Sequence, residues 1–198
     1  MGGLAGNDRG VFAGGGNPTQ NVIQYLTIST TGNTTDFGDL NNSTYSAAGV
    51  TNNTRGCFGG GSPKIDVIDY ITIATTGNAT DFGNLTVARQ TFTGGCSDET
   101  RGIWGGGYYS GPNTYGDWID YITIANTGNA TDFGDLTQGR SGATATNNAT
   151  RGVFAGGYVS GGPDVNTMDY ITIQSTGNAT DFGDLSQARG WFAASSGE

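Results

Sequence analysis

The chain has 198 residues, 37 of them glycine, with 17 acidic against 8 basic side chains and a net charge of −9. A phosphate backbone calls for a basic footprint, so this balance argues against nucleic acid as a partner. The absence of histidine removes Ser-His and Cys-His nucleophile pairs and imidazole metal sites. No apolar run approaches membrane-spanning length, and the opening Met1-Gly-Gly-Leu4 lacks the charged and apolar regions of a signal peptide.

The chain repeats itself. Arg-Gly pairs begin at Arg9, Arg55, Arg101 and Arg151, in steps of 46, 46 and 50, and the phenylalanines of Asp-Phe-Gly fall at Phe37, Phe82, Phe133 and Phe182, in steps of 45, 51 and 49. A period of this length, rich in Thr, Ile, Val and aromatics and punctuated by glycine, predicts β-propeller blades. Helical repeats need long Ala/Leu/Glu/Lys stretches, and none is present. The expectation is one all-β domain over residues 1–198, with repeats at about 1–44, 45–90, 91–140 and 141–188.

Each unit reads as four short strands, A to D. Strand B is 10–14, then 56–60, 102–106 and 152–156, each ending on glycines expected to let backbones approach near a propeller axis. Strand C is 22–30, 67–75, 118–125 and 168–175, apolar on both alternating faces as in a sheet covered on both sides. The turn Thr76-Gly77-Asn78 leads into strand D at 79–85. Strand A is the least regular, at 45–50, 91–96 and 142–146. No copy is evident ahead of Arg9, whereas 187–194 matches the start of an A strand. The prediction is therefore a ring closed by residues 189–198, completing blade 1 and removing both sheet edges.

Glycine doublets at Gly14-Gly15, Gly59-Gly60, Gly105-Gly106 and Gly156-Gly157, followed by a variable loop, a Tyr-containing strand (Tyr25, Tyr70, Tyr121, Tyr170), a glycine hairpin and an aromatic fourth strand, resemble the kelch repeat. That resemblance implies a four-bladed propeller. It departs from the pattern in carrying Phe37, Phe82, Phe133 and Phe182 where kelch units usually have tryptophan. The wording Ile-Asp-Tyr-Ile-Thr-Ile through Thr-Gly-Asn-Ala-Thr-Asp-Phe-Gly also resembles repeats of tail-fibre and virion-associated proteins of marine bacteriophages. It implies a structural or adhesive role, located on the virion beside other virion proteins, with no defined chemistry.

A residue present in every blade serves every blade, so invariant positions read as architecture. Arg9, Arg55, Arg101 and Arg151 are expected to meet Asp36, Asp81, Asp132 and Asp181 in a ring of structural ion pairs. The pairs Asp36/Asp39, Asp132/Asp135 and Asp181/Asp184 have carboxylate spacing that suits calcium, but Asn84 breaks the series, and strand-end solvation is the reading adopted, with no metal or other cofactor. Cys57 sits in the slot of Val11, Ile103 and Val153, as a small buried hydrophobe, and two cysteines make no disulfide framework. Asn33, Asn78, Asn129 and Asn178 lie in Asn-x-Ser/Thr sites that recur with the C–D turn.

Binding is expected where blades differ. The B–C loops at 16–21, 61–66, 107–117 and 157–167 carry Tyr108, Tyr109, Tyr115 and Tyr158, with Trp118 at one exit, and the D–A connections bring Arg89, Arg140 and Arg189 to that side. These eight form the candidate ligand set for a surface glycan or protein receptor; the alternative is that the aromatics cap the propeller mouth. The function expected is non-enzymatic recognition. The rivals are a purely architectural fibre component and a kelch-type adaptor, and a piece of a longer array stays open.

Overall fold

The computed structural model describes residues 1–90, 94–109 and 115–196. Among these every regular element is a strand, sixteen in all, in four antiparallel sheets of four strands. Blade 1 is β1 (Gly2–Gly6), β2 (Arg9–Gly15), β3 (Gln20–Thr27) and β4 (Thr35–Thr44); blade 2 is β5 (Ala48–Thr51), β6 (Arg55–Gly59), β7 (Ile65–Thr72) and β8 (Thr80–Arg89). Blade 3 is β9 (Gly95–Ser97), β10 (Arg101–Tyr108), β11 (Tyr115–Thr123) and β12 (Thr131–Asp135); blade 4 is β13 (Thr144–Asn147), β14 (Arg151–Ala155), β15 (Thr167–Thr172) and β16 (Thr180–Asp184). Strands pair in sequence order, the up-and-down arrangement of propeller blades. Of the expected third A strand, 91–93 lie outside the described residues.

The core lies between blades. Each of three apolar clusters joins the trailing face of one blade to the leading face of the next. Val11, Ile23, Phe37 and Leu40 meet Phe58, Ile71 and Ile73. Cys57, Ile68, Phe82 and Leu85 meet Trp104, Ile122 and Ile124, and Ile103, Ile119, Phe133 and Leu136 meet Phe154, Ile171 and Ile173. This is why strand C is apolar on both faces: in blades 2 and 3 the sheet is covered on both sides. Burying one such side chain stabilises by roughly 1.5–3 kcal/mol.

Hydrogen bonds latch the C–D hairpins of blades 2, 3 and 4 onto the blade before. Gly77 N donates to Phe37 O at 2.7 Å and Ala79 N to Asp39 O at 2.8 Å, while Asn78 Oδ1 accepts from Asp39 N at 3.0 Å. Asn129 and Asn178 accept in the same way from Asn84 N and Asp135 N, both at 3.1 Å. The recurring Thr-Gly-Asn is thus an inter-blade clasp as well as a turn.

Three expectations need correction. First, the glycine doublets serve local geometry as well as close packing: Gly14, Gly60, Gly106 and Gly156 hold φ of 68°, 66°, 69° and 62°, and a Cβ on Gly59 or Gly105 would press on the Trp104 or Phe154 ring of the next blade, not on a backbone at the axis. The strands beside the axis are the A strands, where a Cβ on Gly49 would lie 2.6 Å from Gly3 O.

Second, blade 1 has its own inner strand, β1, paired with β2 from Gly2↔Ala13 to Gly6↔Arg9. Residues 189–196 do not complete blade 1. They run on beside β13, with Trp191 N donating to Gly142 O at 2.9 Å and Thr146 Oγ1 to Ser195 O at 2.9 Å. The succession Thr51 N to Ser97 Oγ, Ser97 N to Asn147 Oδ1 and Asn147 N to Ser196 Oγ steps from blade to blade. The C-terminal segment therefore occupies the place of a fifth inner strand. The β1–β2 hairpin keeps the spacing of the later ones, Ala5↔Gly10 matching Thr51↔Gly56, Ser97↔Gly102 and Asn147↔Gly152, and turns at Asn7 and Asp8 with φ of 49° and 62°. With three glycines and one large apolar side chain in five residues, β1 carries no pattern that marks it as a strand.

Third, the Arg–Asp ring does not form among the described residues. Arg9, Arg55, Arg101 and Arg151 lie over Tyr25, Tyr70, Tyr121 and Tyr170 at 4.4, 4.3, 4.5 and 4.4 Å. Three of them reach forward instead: Arg9 Nη1 donates to Ile73 O at 2.7 Å, Arg55 Nη1 to Ile124 O at 3.0 Å and Arg101 Nη1 to Ile173 O at 3.0 Å. Asp36, Asp81, Asp132 and Asp181 are exposed and sit opposite Gln24, Asp69, Asp120 and Asp169, one residue out of phase with the tyrosines and so on the other face.

Candidate functional site

The B–C hairpins and D–A connections gather at one end of the blades, and aromatic side chains meet there. Tyr108 and Tyr115 are cross-strand partners on β10 and β11, with ring centroids 5.4 Å apart. Tyr115 stands edge-on to Tyr158 of the next blade at 5.0 Å, and Tyr158 lies 5.4 Å from Trp191 at an interplanar angle of 31°. At the other end Lys64 Nζ sits 4.0 Å over the Tyr108 ring. The result is one continuous row from blade 2 to the C-terminal segment: Lys64, Tyr108, Tyr115, Tyr158, Trp191. Tyr109 and Trp118 make a separate edge-on pair at 4.9 Å. Residues 110–114 of the third loop lie outside the described residues.

Backbone ladders hold the row. Tyr158 exchanges both main-chain hydrogen bonds with Ser141, at 3.1 and 2.8 Å, and Tyr108 does the same with Gln90 at 2.9 and 3.0 Å. The tyrosines are half-buried by one another, whereas Trp191 is 61% exposed. Burial, with Tyr115 and Asp164 nearby, pushes the Tyr158 phenol above its ordinary value, so it stays a neutral hydroxyl across the physiological range. Stacked rings, phenol hydroxyls and one ammonium provide π faces and polar edges, the chemistry that takes up sugar rings or apolar side chains.

Arg89 and Arg140, expected in the ligand set, belong to the frame. Arg89 Nη1 pairs with Asp120 at 2.7 Å and Arg140 Nη1 with Asp169 at 2.8 Å, all four side chains wholly inaccessible. Each carboxylate also receives a threonine from the arginine's own blade, Thr86 on Asp120 and Thr137 on Asp169. The signal was legible as an aspartate inside an apolar strand, at Asp69, Asp120 and Asp169, which buries only with a partner. Arg189 is exposed, its Nη2 donating to Gln187 Oε1 at 3.3 Å and its guanidinium 5.9 Å from Phe192. Lys64 and Trp191 were missed: the first as a lone charge in a short loop, the second because its segment was assigned to blade 1.

Asp36, Asp39, Asp132, Asp135, Asp181 and Asp184 gather into no metal-binding group among the described residues. Both cysteines are free and buried, and burial pushes each thiol up to about 12. The inner strands and residues 191–194 line a central channel of about 410 Å³ whose walls are mostly glycine, alanine and backbone.

Fold and site together define a repeat protein of the β-propeller type. No family model and no curated protein matches the chain. Among solved structures it is similar to one described as "Structure of YjhT", with a TM-score of 0.77 at 10% identity, over 96% of this chain and 66% of that one. The chain thus spans just under two thirds of the length of that structure, and the likeness is one of fold.

Proposed function

We propose that the chain is a non-enzymatic recognition module that binds a surface glycan or protein through the row Tyr108, Tyr115, Tyr158 and Trp191. The observation that carries this reading is the continuity of the row over three ring contacts, from blade 3 through blade 4 to the C-terminal segment, ending on an exposed indole. A mouth cap needs its rings buried, whereas binding needs an accessible ring, and Trp191 is 61% exposed. Lys64 at the far end adds a cation for an acidic sugar or carboxylate. The likeness of the repeats to marine phage tail-fibre proteins supports placing this module on a virion, beside other virion proteins.

Binding to a glycan array, with tryptophan fluorescence as second readout, tests the reading. The expected result is retention of one glycan class by the parent chain and loss of at least tenfold in affinity on Trp191→Ala and Tyr158→Phe together. Equal binding by parent and variant, or none to glycans or cell surfaces, overturns it. In that case the architectural reading, favoured by the uncovered end blades, takes its place.

A further inference from the structure

Every interface inside the array joins the same two half-surfaces. The trailing half carries a strand-D phenylalanine, a glycine after it and, on blades 2 and 3, a Thr/Arg pair whose places Asn41 and Thr44 take on blade 1; the leading half carries a strand-B aromatic, a strand-C isoleucine and the Gly-Asn hairpin. One copy of each half is left over. On blade 4, Phe182 is 48% exposed, while Phe37, Phe82 and Phe133 are buried to 2–3%. Val153 and Met168 are only half-buried, although Val11, Cys57, Ile103 and Ile23, Ile68, Ile119 at the same places are completely buried. Gly183 has open space where Gly38, Gly83 and Gly134 abut the next hairpin's glycine. On blade 1, Phe12 and Ile28 are exposed, Ile28 by 57% where Ile73, Ile124 and Ile173 are wholly buried.

We propose that these two half-surfaces join between molecules: the trailing face of blade 4 receives the leading face of blade 1 of a second copy, head to tail. The match is complementary: Phe12 fills the place of Phe154, Ile28 that of Ile173, and Gly32-Asn33 that of Gly177-Asn178. Gln24 stands where blades 2 to 4 carry Asp69, Asp120 and Asp169, so Arg189 meets a neutral amide oxygen instead of a carboxylate. The joint is therefore weaker than the internal ones and reversible. Because Trp191–Ser196 already fills the inner-strand place beside β13, the arriving copy gives up β1 to it. That strand brings one large apolar side chain, Leu4. Such heterologous contacts extend into rings or filaments and are not limited to a twofold dimer. The charge of −9 on each copy opposes association, so salt strengthens it.

Sedimentation velocity of the full chain over about 1–200 µM, the range in which such reversible contacts are resolved, decides the matter. The parent is expected to sediment as concentration-dependent oligomers. Phe182→Asp and Phe12→Asp, each on an exposed residue, are each expected to lower the thermal midpoint of dilute protein by no more than about 4 °C and to leave the chain monomeric. Mixed in equal amounts they form a dimer and nothing larger, since each keeps one intact flank. A parent monomeric throughout, variants that associate as the parent does, or a mixture that stays monomeric overturns the proposal.

Discussion

Arg140 and Asp169 meet at 2.8 Å across the step from blade 3 to blade 4, and neither is reached by solvent. Arg89 and Asp120 repeat the arrangement one blade earlier. Breaking one partner of a buried pair strands the other charge, so Arg140→Ala is expected to cost about 3–5 kcal/mol. Arg189→Ala, on the exposed member of the series, is expected to cost within about 0.5 kcal/mol. Chemical denaturation of dilute monomeric protein measures both; equal costs would refute the assignment of Arg140 to the frame.

The phenylalanine series makes the same comparison in apolar terms. Phe133→Ala empties a site sealed by the next blade and is expected to destabilise by about 3–5 kcal/mol. Phe182→Ala changes a half-exposed side chain and is expected to cost less than about 1 kcal/mol. Thermal unfolding of the two variants side by side reads the difference.

Asp69 is the odd member of its set, because Thr44 holds the position of Arg89 and Arg140. Burial pushes its carboxyl above the ordinary 3.8; Asn41, which donates to it at 2.6 and 3.0 Å, works the other way, and Asp81 adds to the rise. Folded chains then keep this proton at pH values where unfolded chains have released it. The contribution of Asp69 to stability therefore falls as pH rises from 3.8 through its folded value. Asp69→Asn removes that dependence, and its stability relative to the parent is expected to climb across this window. Urea melts at several pH values test this; a parent–variant difference constant with pH contradicts it.

Cys57 and Cys96 are sealed between blades, with thiols pushed up to about 12. Neither supplies thiolate at neutral pH, so a thiol reagent is expected to label neither in native protein and both after unfolding. Mass spectrometry before and after denaturant gives the answer; rapid labelling of Cys57 in the folded chain would mean that the interface of blades 2 and 3 opens.

The repeat, its four-strand unit, the apolar double face of strand C and the loop-face tyrosines were all legible in the residues, since each rests on local periodicity and on copies that vouch for one another. Arg89 and Arg140 were misassigned because a side chain on a connection looks solvent-facing until the aspartate of the following blade is placed over it. The Arg9 series was misassigned in the opposite sense. A bulge between Ile23 and Gln24, and its counterparts in the later blades, shifts the phase that decides which strand-D residue shares a face with the arginine.

The amino-acid order by itself determined that this is an all-β array of four blades, because alternation, glycine turns and a period near fifty residues are properties of the chain taken locally. Only the tertiary structure decided where the ends go: blade 1 takes its inner strand from Gly2–Gly6, and Trp191–Ser196 passes on beside blade 4. The physical reason is that neither strand carries the side-chain pattern that would assign it to one sheet. Such a segment settles wherever an unpaired edge and a neighbouring inner strand lie within hydrogen-bonding reach.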